Sequence, residues 1–301
     1  MPGFFYQPLG RRQFIRYSAQ ALAACSLTGA ARAAAGSPDS DKSLHLALLS
    51  DLHVAADPKS ENRKFNPWEN LQRVVAEVRD IQPHAVFVNG DLARQTGEPG
   101  DYEAVRELLA PLAHQYPIHL AMGNHDNREN FSKVFTPRPD SAQKVPDKYV
   151  LVVEEPFLRI VVLDSLLYVN KVSGLLGKAQ RDWLDRFLAK CDARPTIVLV
   201  HHTLGDGDGD LLDAEAFYRI TQPYGKVKAI FYGHSHEYSY KEHQGIHLIN
   251  LPAVGYNFSD KEPVGWVDAF FTATGAELTL KAFGGNRVQD GKTKSLRWRS
   301  A

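Results

Sequence analysis

The sequence predicts an α/β domain in which two mixed sheets lie face to face between outer layers of helices, a four-layer α-β-β-α sandwich. From Leu44 onward, short apolar runs alternate with amphipathic helical stretches, which is the pattern of βαβ units. The last apolar runs follow one another without an intervening helix, which predicts an antiparallel portion. The 301 residues, 44% of them hydrophobic and 23% charged, are sufficient to bury such a core.

The first half of the domain is predicted to run β-α-β-α-β, with strands over residues 44–50, 84–89 and 117–122. Apolar residues at i, i+3, i+4 and i+7 predict a helix that packs on the first sheet, and these are Leu71, Val74, Val75 and Val78. Asp101 follows Pro99-Gly100, and we expect it to cap the second helix. That helix directs Tyr102, Val105, Leu108 and Leu112 inward.

In the second half, strands predicted over 149–153 and 158–163 are close enough in sequence to pair. A helix predicted over 178–190 has Trp183, Leu184, Phe187 and Leu188 on one side. Further strands are predicted over 196–200, 227–232, 246–251, 266–271 and 278–283. We expect the folded domain to span 44–285 and residues 286–301 to form a C-terminal tail.

Residues 1–35 resemble a twin-arginine (Tat) signal peptide that is removed on export. Arg11 and Arg12 precede a mild, alanine-rich apolar stretch, and cleavage is expected after Ala33 or Ala35. The sequence before Cys25 also fits a lipobox, which would make Cys25 a lipid anchor. A cytoplasmic tail is the remaining alternative. These features predict a periplasmic, extracellular or lipid-anchored protein that the Tat machinery exports.

Charge and cysteine content exclude several classes of protein. Without the first 35 residues the chain has 31 basic and 35 acidic residues, a net charge of −4, which gives no general attraction for nucleic acid or anionic membrane. Cys25 and Cys191 are the only cysteines, so a disulfide framework is excluded and Cys191 is expected to be a small core residue. No later segment approaches the ~20 apolar residues of a transmembrane span.

Short polar motifs follow five of the predicted strands, at the edge where an open α/β sheet presents side chains to ligands. The motifs are Asp51-Leu52-His53, Gly90-Asp91, Gly123-Asn124-His125-Asp126, His201-His202 and Gly233-His234-Ser235-His236. Six of the 12 histidines fall in this ordered set. Single motifs of this kind arise by chance, but the ordered set predicts one shared site.

The residue types in these motifs favour a two-metal site at the C-terminal ends of the strands. Imidazole, carboxylate and carboxamide ligands suit Fe, Mn, Zn or Co, and the absence of thiolates argues against a structural zinc site. Two cations ~3.5 to 4 Å apart need a bridging carboxylate, can deprotonate a bridging water and can neutralise charge on a phosphoryl group. Gly90 and Gly123 are expected to let the backbone turn sharply before each ligand.

In order and type, the motifs are similar to those of calcineurin-like metallophosphoesterases, over about Leu46 to Phe258. Within that superfamily they most resemble the bacterial class III cyclic-nucleotide phosphodiesterases. The resemblance implies two sets of ligands around a shared carboxylate, namely Asp51, His53 and His236 for one metal, Asn124, His201 and His234 for the other, and Asp91 as the bridge. Both metals would be divalent or trivalent ions. His201 is preferred to His202 because adjacent strand residues point to opposite faces.

The same resemblance implies catalytic roles for His125 and Asp126. His125 would lie over the leaving oxygen, as a general acid or as a phosphate contact, and Asp126 would orient it. The implied reaction is hydrolysis of small phosphodiesters, of cyclic-nucleotide or glycerophosphodiester type, by attack of a hydroxide that bridges the metals.

Alternative functions differ in substrate or in catalysis. A phosphomonoesterase or pyrophosphatase could use the same site, and a non-catalytic module could bind metal or a phosphorylated ligand, although all seven ligands and His125 are present. Protein phosphatases of the superfamily usually carry Asp-Arg-Gly after Gly-Asp and Glu after Asn-His, where this chain has Leu92-Ala93-Arg94 and Asp126. A nuclease has no basic surface signature to support it.

Substrate preference rests on residues around these motifs. The family often has prolines after the histidine pair, whereas this chain has a glycine–aspartate loop over 205–210, expected to be mobile and solvated, with calcium binding as the alternative. Tyr238, Tyr240 and Tyr256 are candidates to stack on a base, or ordinary core and surface tyrosines. Arg63 or Lys64 could supply the cationic contact that a monoester needs.

Overall fold

The computed structural model describes residues 43–136 and 139–300. The predicted signal peptide over 1–35, with Cys25, lies outside the described residues. In chain order the elements are β1 (Leu44–Leu49), α1 (Pro67–Ile81), β2 (Ala85–Asn89), α2 (Pro99–Ala113), β3 (Ile118–Ala121), α3 (Arg128–Val134), β4 (Ala142–Val145), β5 (Lys148–Glu154), β6 (Arg159–Val162), α4 (Gly177–Lys190), β7 (Thr196–Leu199), α5 (Ala214–Thr221), β8 (Val227–Tyr232), β9 (Ser239–His243), β10 (Ile246–Asn250), β11 (Pro263–Phe271), β12 (Gly275–Gly285) and β13 (Thr293–Arg297).

Both sheets mix parallel and antiparallel pairs. In the first sheet, of order β13-β12-β11-β1-β2-β3, the neighbours β1, β2 and β3 are parallel, and β11, β12 and β13 continue antiparallel from β1. In the second sheet, of order β4-β5-β6-β7-β8-β10-β9, the strands β6, β7, β8 and β10 are parallel and the outer pairs are antiparallel. The parallel strands therefore end at the same edge of each sheet.

Apolar side chains fill three layers of core, and this confirms the predicted four-layer sandwich. One cluster lies between the sheets and joins Leu46 and Phe87 of the first sheet to Phe231 of the second. A second cluster packs α1 and α2 on the outer face of the first sheet, and a third packs α4 and α5 on the second.

Helix α1 forms where local sequence and packing agree. The Asn66 side chain accepts hydrogen bonds from the Trp68 and Glu69 amides at 3.0 and 3.2 Å, and Pro67 occupies the first turn. The predicted apolar face, Leu71, Val74, Val75 and Val78, is buried. On the same helix, the Asn70 Nδ2 donates to the carbonyls of residues 254 and 255, which fixes the helix to a loop beside the strand ends.

The predicted capping role of Asp101 is wrong. Helix α2 has Glu98 as its N-cap residue and Pro99 in its first turn, because the φ angle of proline suits that position. The Asp101 carboxylate instead accepts hydrogen bonds from the amides of Ala56 and Arg94 at 2.8 and 3.2 Å. It therefore joins the helix to two loops that lead into the site.

Short and edge elements differ most from the sequence prediction. Strands β4, β9 and β13 and helices α3 and α5 were not predicted, and β13 pairs with β12 although its residues fall in the expected C-terminal tail. The three strands are short and largely exposed, so they carry no clear apolar periodicity. Helix α5 does bury Ala214, Phe217 and Thr221 at i, i+3 and i+7, a short apolar face that the sequence prediction missed. The strand predicted over 246–251 was expected to pair antiparallel, but it pairs parallel with β8 as well as antiparallel with β9.

No helix in the described part of the chain has the length and apolar character needed to cross a bilayer.

Candidate metal centre

The five predicted motifs meet at the carboxyl ends of β1, β2, β3, β7 and β8. Each motif begins within two residues of the end of its strand. Because β1, β2 and β3 are neighbours in one sheet and β7 and β8 in the other, the loops converge across the gap between the two sheets. The ligand types form groups that could hold metal ions, with donor atoms within 4.8 Å of one another: Asp51, His53 and His236; His53, Asp91 and His125; and Asp91, His201 and His234.

The first group is formed by Asp51, His53 and His236, all buried. The His236 Nε2 lies 3.4 Å from the Asp51 Oδ1 and 3.0 Å from the His53 Nε2. The His53 Nε2 is also 3.6 Å from the Asp91 Oδ2. Asp91 therefore belongs to the neighbourhood of this group as well as to the next.

The second group is formed by Asp91, His201 and His234. The His201 Nε2 lies 3.4 Å from the Asp91 Oδ2. Asn124 lies beside this group because both of its chain neighbours contact Asp91. A side chain at Gly123 would collide with the Asp91 carboxylate, and the His125 amide donates to the Asp91 Oδ1 at 2.9 Å. Asp91 thus lies between the two groups, where the sequence predicted a bridging carboxylate.

Backbone carbonyls fix the orientation of the histidine rings. The Nδ1–H groups of His53, His201 and His236 donate to the carbonyls of Arg94, Asn89 and Tyr256 at 3.3, 2.7 and 2.5 Å. Since a carbonyl only accepts, each neutral ring carries its free lone pair on Nε2, the atom that faces the carboxylates. His234 is held the other way round, with Nε2–H donating to the Gly209 carbonyl at 3.1 Å, which leaves Nδ1 free.

Several buried polar atoms lack a partner in this arrangement. The Asn124 Oδ1 is an acceptor with no hydrogen-bond partner, and the buried His201 Nε2, which is an acceptor in the neutral ring, has none either. The two Nε2 lone pairs of His53 and His236 face each other at 3.0 Å. Facing lone pairs and orphaned acceptors are costly when buried, and a cation satisfies all of them at once. The residues present therefore fit two metal ions with nitrogen and oxygen ligands.

The pKa values of the site residues depend on the two buried carboxylates, Asp51 and Asp91. Burial acts to raise the pKa of Asp51 and of Asp91, but the neighbouring histidines, with His201 first among them, together outweigh burial and lower both pKa values below the usual range. Burial acts to lower the pKa of His201, yet Asp91 and Asp51 raise it to about 10. Burial lowers the pKa of His53 to about 3 and of His234 to about 4. The site therefore concentrates negative charge that a cation can match.

The backbone of the ligand loops is strained. Of the eleven non-glycine residues with positive φ in the described chain, five carry predicted ligands: Asp51, His53, Asp91, His234 and His236. Each such residue costs about 1–2 kcal/mol, and strain of this kind clusters at functional sites. Gly90 has a φ of 90°, as the expected sharp turn requires. Gly123 is needed for a different reason, since any side chain would strike Asp91 and His201.

His125 lies at the mouth of the site. Its side chain is 22% exposed, and its Nε2 is 4.0 Å from the Asp91 Oδ2. The His125 Nδ1–H donates to the Gln95 carbonyl at 2.8 Å, so this carbonyl fixes the ring. A ring held in this way can contact a substrate oxygen.

Asp126 does not orient His125 as the sequence predicted. Its buried carboxylate accepts hydrogen bonds from the amides of Gly123, Leu92 and Ala93 at 2.8 to 3.3 Å and from the Tyr102 hydroxyl at 3.1 Å. Burial, with the nearby charge of Asp91, raises the pKa of Asp126 to about 6. The physical reason for the difference is that the carboxylate is directed at the orphan amides of two ligand loops, which it holds together.

His202 and the tyrosines occupy different surroundings. His202 is buried with its Nδ1 2.7 Å from the Ser165 Oγ, and it is absent from the described groups that could hold a metal. Among the three tyrosines, Tyr256 packs on the rings of His53 and His236 at 4.8 and 4.7 Å. Tyr238 packs toward the core between the sheets, and the Tyr240 hydroxyl pairs with the His247 Nδ1 at 2.6 Å.

Two residues that contact the site histidines, Gly209 and Phe258, were not identified from the sequence. The loop over 205–210, expected to be mobile and solvated with calcium binding as the alternative, places the Gly209 carbonyl on His234. Phe258 stacks on His236 with ring centroids 4.2 Å apart. A carbonyl contact is independent of residue type, and only the aromatic character of Phe258 after the last motif could have indicated its position.

Comparison with known proteins agrees with this geometry. The family model for calcineurin-like phosphoesterases matches residues 44–238. A protein named probable cyclic nucleotide phosphodiesterase, from Vesicomyosocius okutanii, is 26% identical over 227 residues, covering 73% of this chain and 91% of that protein. The glycerophosphodiester phosphodiesterase GpdQ of Enterobacter lignolyticus is 27% identical over 234 residues, covering 72% of this chain and 81% of that protein.

Solved structures show the same fold at lower identity. A dimetal phosphatase from Danio rerio superimposes with a TM-score of 0.65 at 16% identity, over 85% of this chain and 99% of that one. Calcineurin-like phosphoesterases use two divalent metal ions, and the described ligand groups fit that number. Family match, fold and ligand geometry together show that the chain is a metal-dependent phosphoesterase and belongs to the calcineurin-like phosphoesterase family.

Proposed function

We propose that this enzyme hydrolyses small phosphodiesters of the cyclic-nucleotide or glycerophosphodiester type. The observation that carries the proposal is the convergence of seven nitrogen and oxygen donors, Asp91 among them, from five strand-end loops. Relatives named cyclic nucleotide phosphodiesterase and glycerophosphodiester phosphodiesterase support the substrate class.

The proposed ligands divide between two metal ions. Asp51, His53 and His236 would hold one, Asn124, His201 and His234 would hold the other, and Asp91 would be shared between them. Bound divalent ions would supply activation of water and neutralisation of phosphoryl charge. The carbonyls of Arg94, Asn89, Tyr256 and Gly209 keep each imidazole turned so that its free nitrogen faces the site.

His125 acts on the leaving group in this proposal. Its Nε2 lies at the mouth, where the imidazolium form can donate the Nε2 proton to the leaving oxygen and become neutral, or can contact the phosphoryl group. The Gln95 carbonyl fixes the ring, and Asp126 acts at a distance by holding the loops after β2 and β3 together. Asp126 is thus a positioning residue.

Charge at the rim favours a diester over a monoester. The exposed carboxylates of Asp206 and Asp208 belong to the loop whose Gly209 carbonyl contacts His234. A phosphomonoester carries a second negative charge that these carboxylates repel, whereas a diester carries one.

A substrate panel on metal-reconstituted protein tests the proposal. The panel covers cyclic nucleotides, glycerophosphodiesters, phosphomonoesters and pyrophosphates. We expect kcat/KM for at least one diester class to exceed that for every monoester and pyrophosphate. A kcat/KM for nucleoside monophosphates about tenfold or more above that for every diester would assign the enzyme to monoesters.

We also propose that the Tat machinery exports the chain to the periplasm or beyond, either free or anchored through Cys25. The support is the sequence around Arg11 and Arg12 and the lipobox before Cys25. Replacing both arginines by lysine should abolish export in a cell-fractionation assay. Undiminished export would refute the Tat signal, and labelling with a lipid precursor in wild type but not in Cys25→Ser would identify the anchored form.

A further inference from the structure

A strained turn carries Arg63 to the rim of the metal centre. The amides and carbonyls of Asn62 and Phe65 exchange two backbone hydrogen bonds, at 2.8 and 2.9 Å, around the central residues Arg63 and Lys64. Both central residues have positive φ, 48° and 69°. A two-residue turn of this type favours Asn-Gly, so Arg-Lys is an unfavourable choice for the backbone alone. Such strain persists where the surrounding structure holds it, and it points to a use for the side chain.

The Arg63 side chain is fixed on an exposed aromatic ring. Its guanidinium carbon lies 5.0 Å from the centroid of Phe258, and its Nη1 donates to the Phe258 carbonyl at 3.3 Å. Phe258 is 49% exposed, so part of its ring is open to a ligand. We call Arg63 and Phe258 the rim platform.

The rim platform adjoins the first metal group directly. The Phe258 ring stacks on His236 with an angle of 22° between the planes. Because Arg63 lies over the same ring, a substrate whose phosphoryl group is bound beside His236 can extend over Phe258 and Arg63.

Resting on the proposed diesterase function, we infer that Arg63 and Phe258 are specificity-determining residues that hold the nucleobase of a nucleotide diester. Aromatic rings and guanidinium planes are the surfaces on which bases stack, and stacking does not require a particular base. Because the Phe258 carbonyl holds one guanidinium nitrogen, the pair presents a planar surface in place of a free fork for a second phosphate. A glycerol diester has no planar group and gains nothing from this surface.

Paired kinetics with a nucleotide and a glycerol diester test the inference. Phe258→Ala and Arg63→Ala should each raise KM for cyclic AMP about 10-fold, the scale of one stacked base, with little change in kcat. KM for glycerophosphoethanolamine should stay within about twofold, since it makes no stacking contact. Phe258→Trp should retain the wild-type KM for cyclic AMP because indole is also a stacking surface.

Matched controls separate this role from general support of the fold. Lys64→Ala removes the neighbouring cation of the same turn, and Phe270→Ala removes an exposed ring that stacks on His45 at 4.0 Å at the other end of β1. Neither should change either KM. Metal content should be unchanged in every variant, because a loss of metal in Phe258→Ala would mean that Phe258 only supports His236.

Binding of adenosine, which has no phosphate, gives a readout independent of turnover. Adenine proton resonances should broaden on addition of wild-type, chelator-treated protein and not of the Phe258→Ala protein. Equal rises in KM for both substrates, or broadening that survives Phe258→Ala, would overturn the inference. Hydrolysis of glycerol diesters but not nucleotides would overturn it while leaving the proposed function intact, whereas hydrolysis of neither diester would contradict the proposed function itself. If only nucleotides are hydrolysed, the adenosine titration decides.

Discussion

At the amino ends of the central strands, cationic side chains donate to backbone carbonyls, whereas at the carboxyl ends buried acceptors face one another without donors. Arg299 donates to the carbonyls of Val227, Gln244, Gln222 and Tyr224 at 2.8 to 3.2 Å. The Lys228 ammonium donates to the Arg299 carbonyl at 2.6 Å. Around Arg299 and Lys228, the polar groups at this end of the sheet are paired with one another.

At the carboxyl ends of the strands, buried hydrogen-bond acceptors outnumber the donors that could pair with them. Carbonyls already take the available ring N–H groups, so the Asn124 Oδ1 and the inward histidine nitrogens lack donors. Five ligand residues there also have strained backbone. Among the described residues, the fold therefore gathers the buried side-chain acceptors that lack a donor at one end, where function needs them.

The largest effect is expected from the mouth of the unsatisfied end. His125→Ala should lower turnover about 100- to 10,000-fold, because a positioned proton donor is lost, with little loss of metal. The loss should shrink for a leaving group that is already acidic, such as a nitrophenolate. Kinetics with good and poor leaving groups measure this, with the exposed His114→Ala as control. Equal losses for both leaving groups would exclude the acid role and leave phosphate positioning.

At the satisfied end, loss of Arg299 should affect stability and not chemistry. Arg299→Ala removes four charge-assisted hydrogen bonds to carbonyls that are partly open to water, so we expect about 2 kcal/mol lower free energy of unfolding. Denaturant unfolding measures it, and kcat should be unchanged. Arg297→Ala, an exposed neighbour, should be neutral. A loss of activity without a loss of stability would break the distinction between the two ends.

The smallest effect is expected on stability, from relief of backbone strain at Lys64 near the site. Lys64→Gly removes a left-handed lysine and should raise the free energy of unfolding by about 1 kcal/mol, without changing activity. Lys59, also exposed in a turn, is not among the residues of positive φ, so Lys59→Gly should lower stability slightly. If both glycine variants are equally destabilised, the turn holds no strain that glycine relieves.

The sequence could predict elements that depend on local residue patterns, but not contacts that depend on the tertiary structure. The central strands and the ligand motifs were predictable because apolar runs end abruptly in polar residues, and the position of Asp91 between both groups agrees with the expected bridge. The contacts of Asp126 and Gly209 were not, because they depend on backbone groups that other loops bring close in space. Edge strand β9 was missed because its five residues are mostly exposed and do not alternate.

The number of metal ions bound at the carboxyl ends of the strands tests the metal centre directly. We expect two equivalents per wild-type chain after saturation and removal of excess metal, and one equivalent in Asn124→Ala, whose fold should be intact by circular dichroism. Activity should be lost in chelator and recovered on addition of metal. Less than one equivalent in the wild type, with activity retained in chelator, would contradict a two-metal centre.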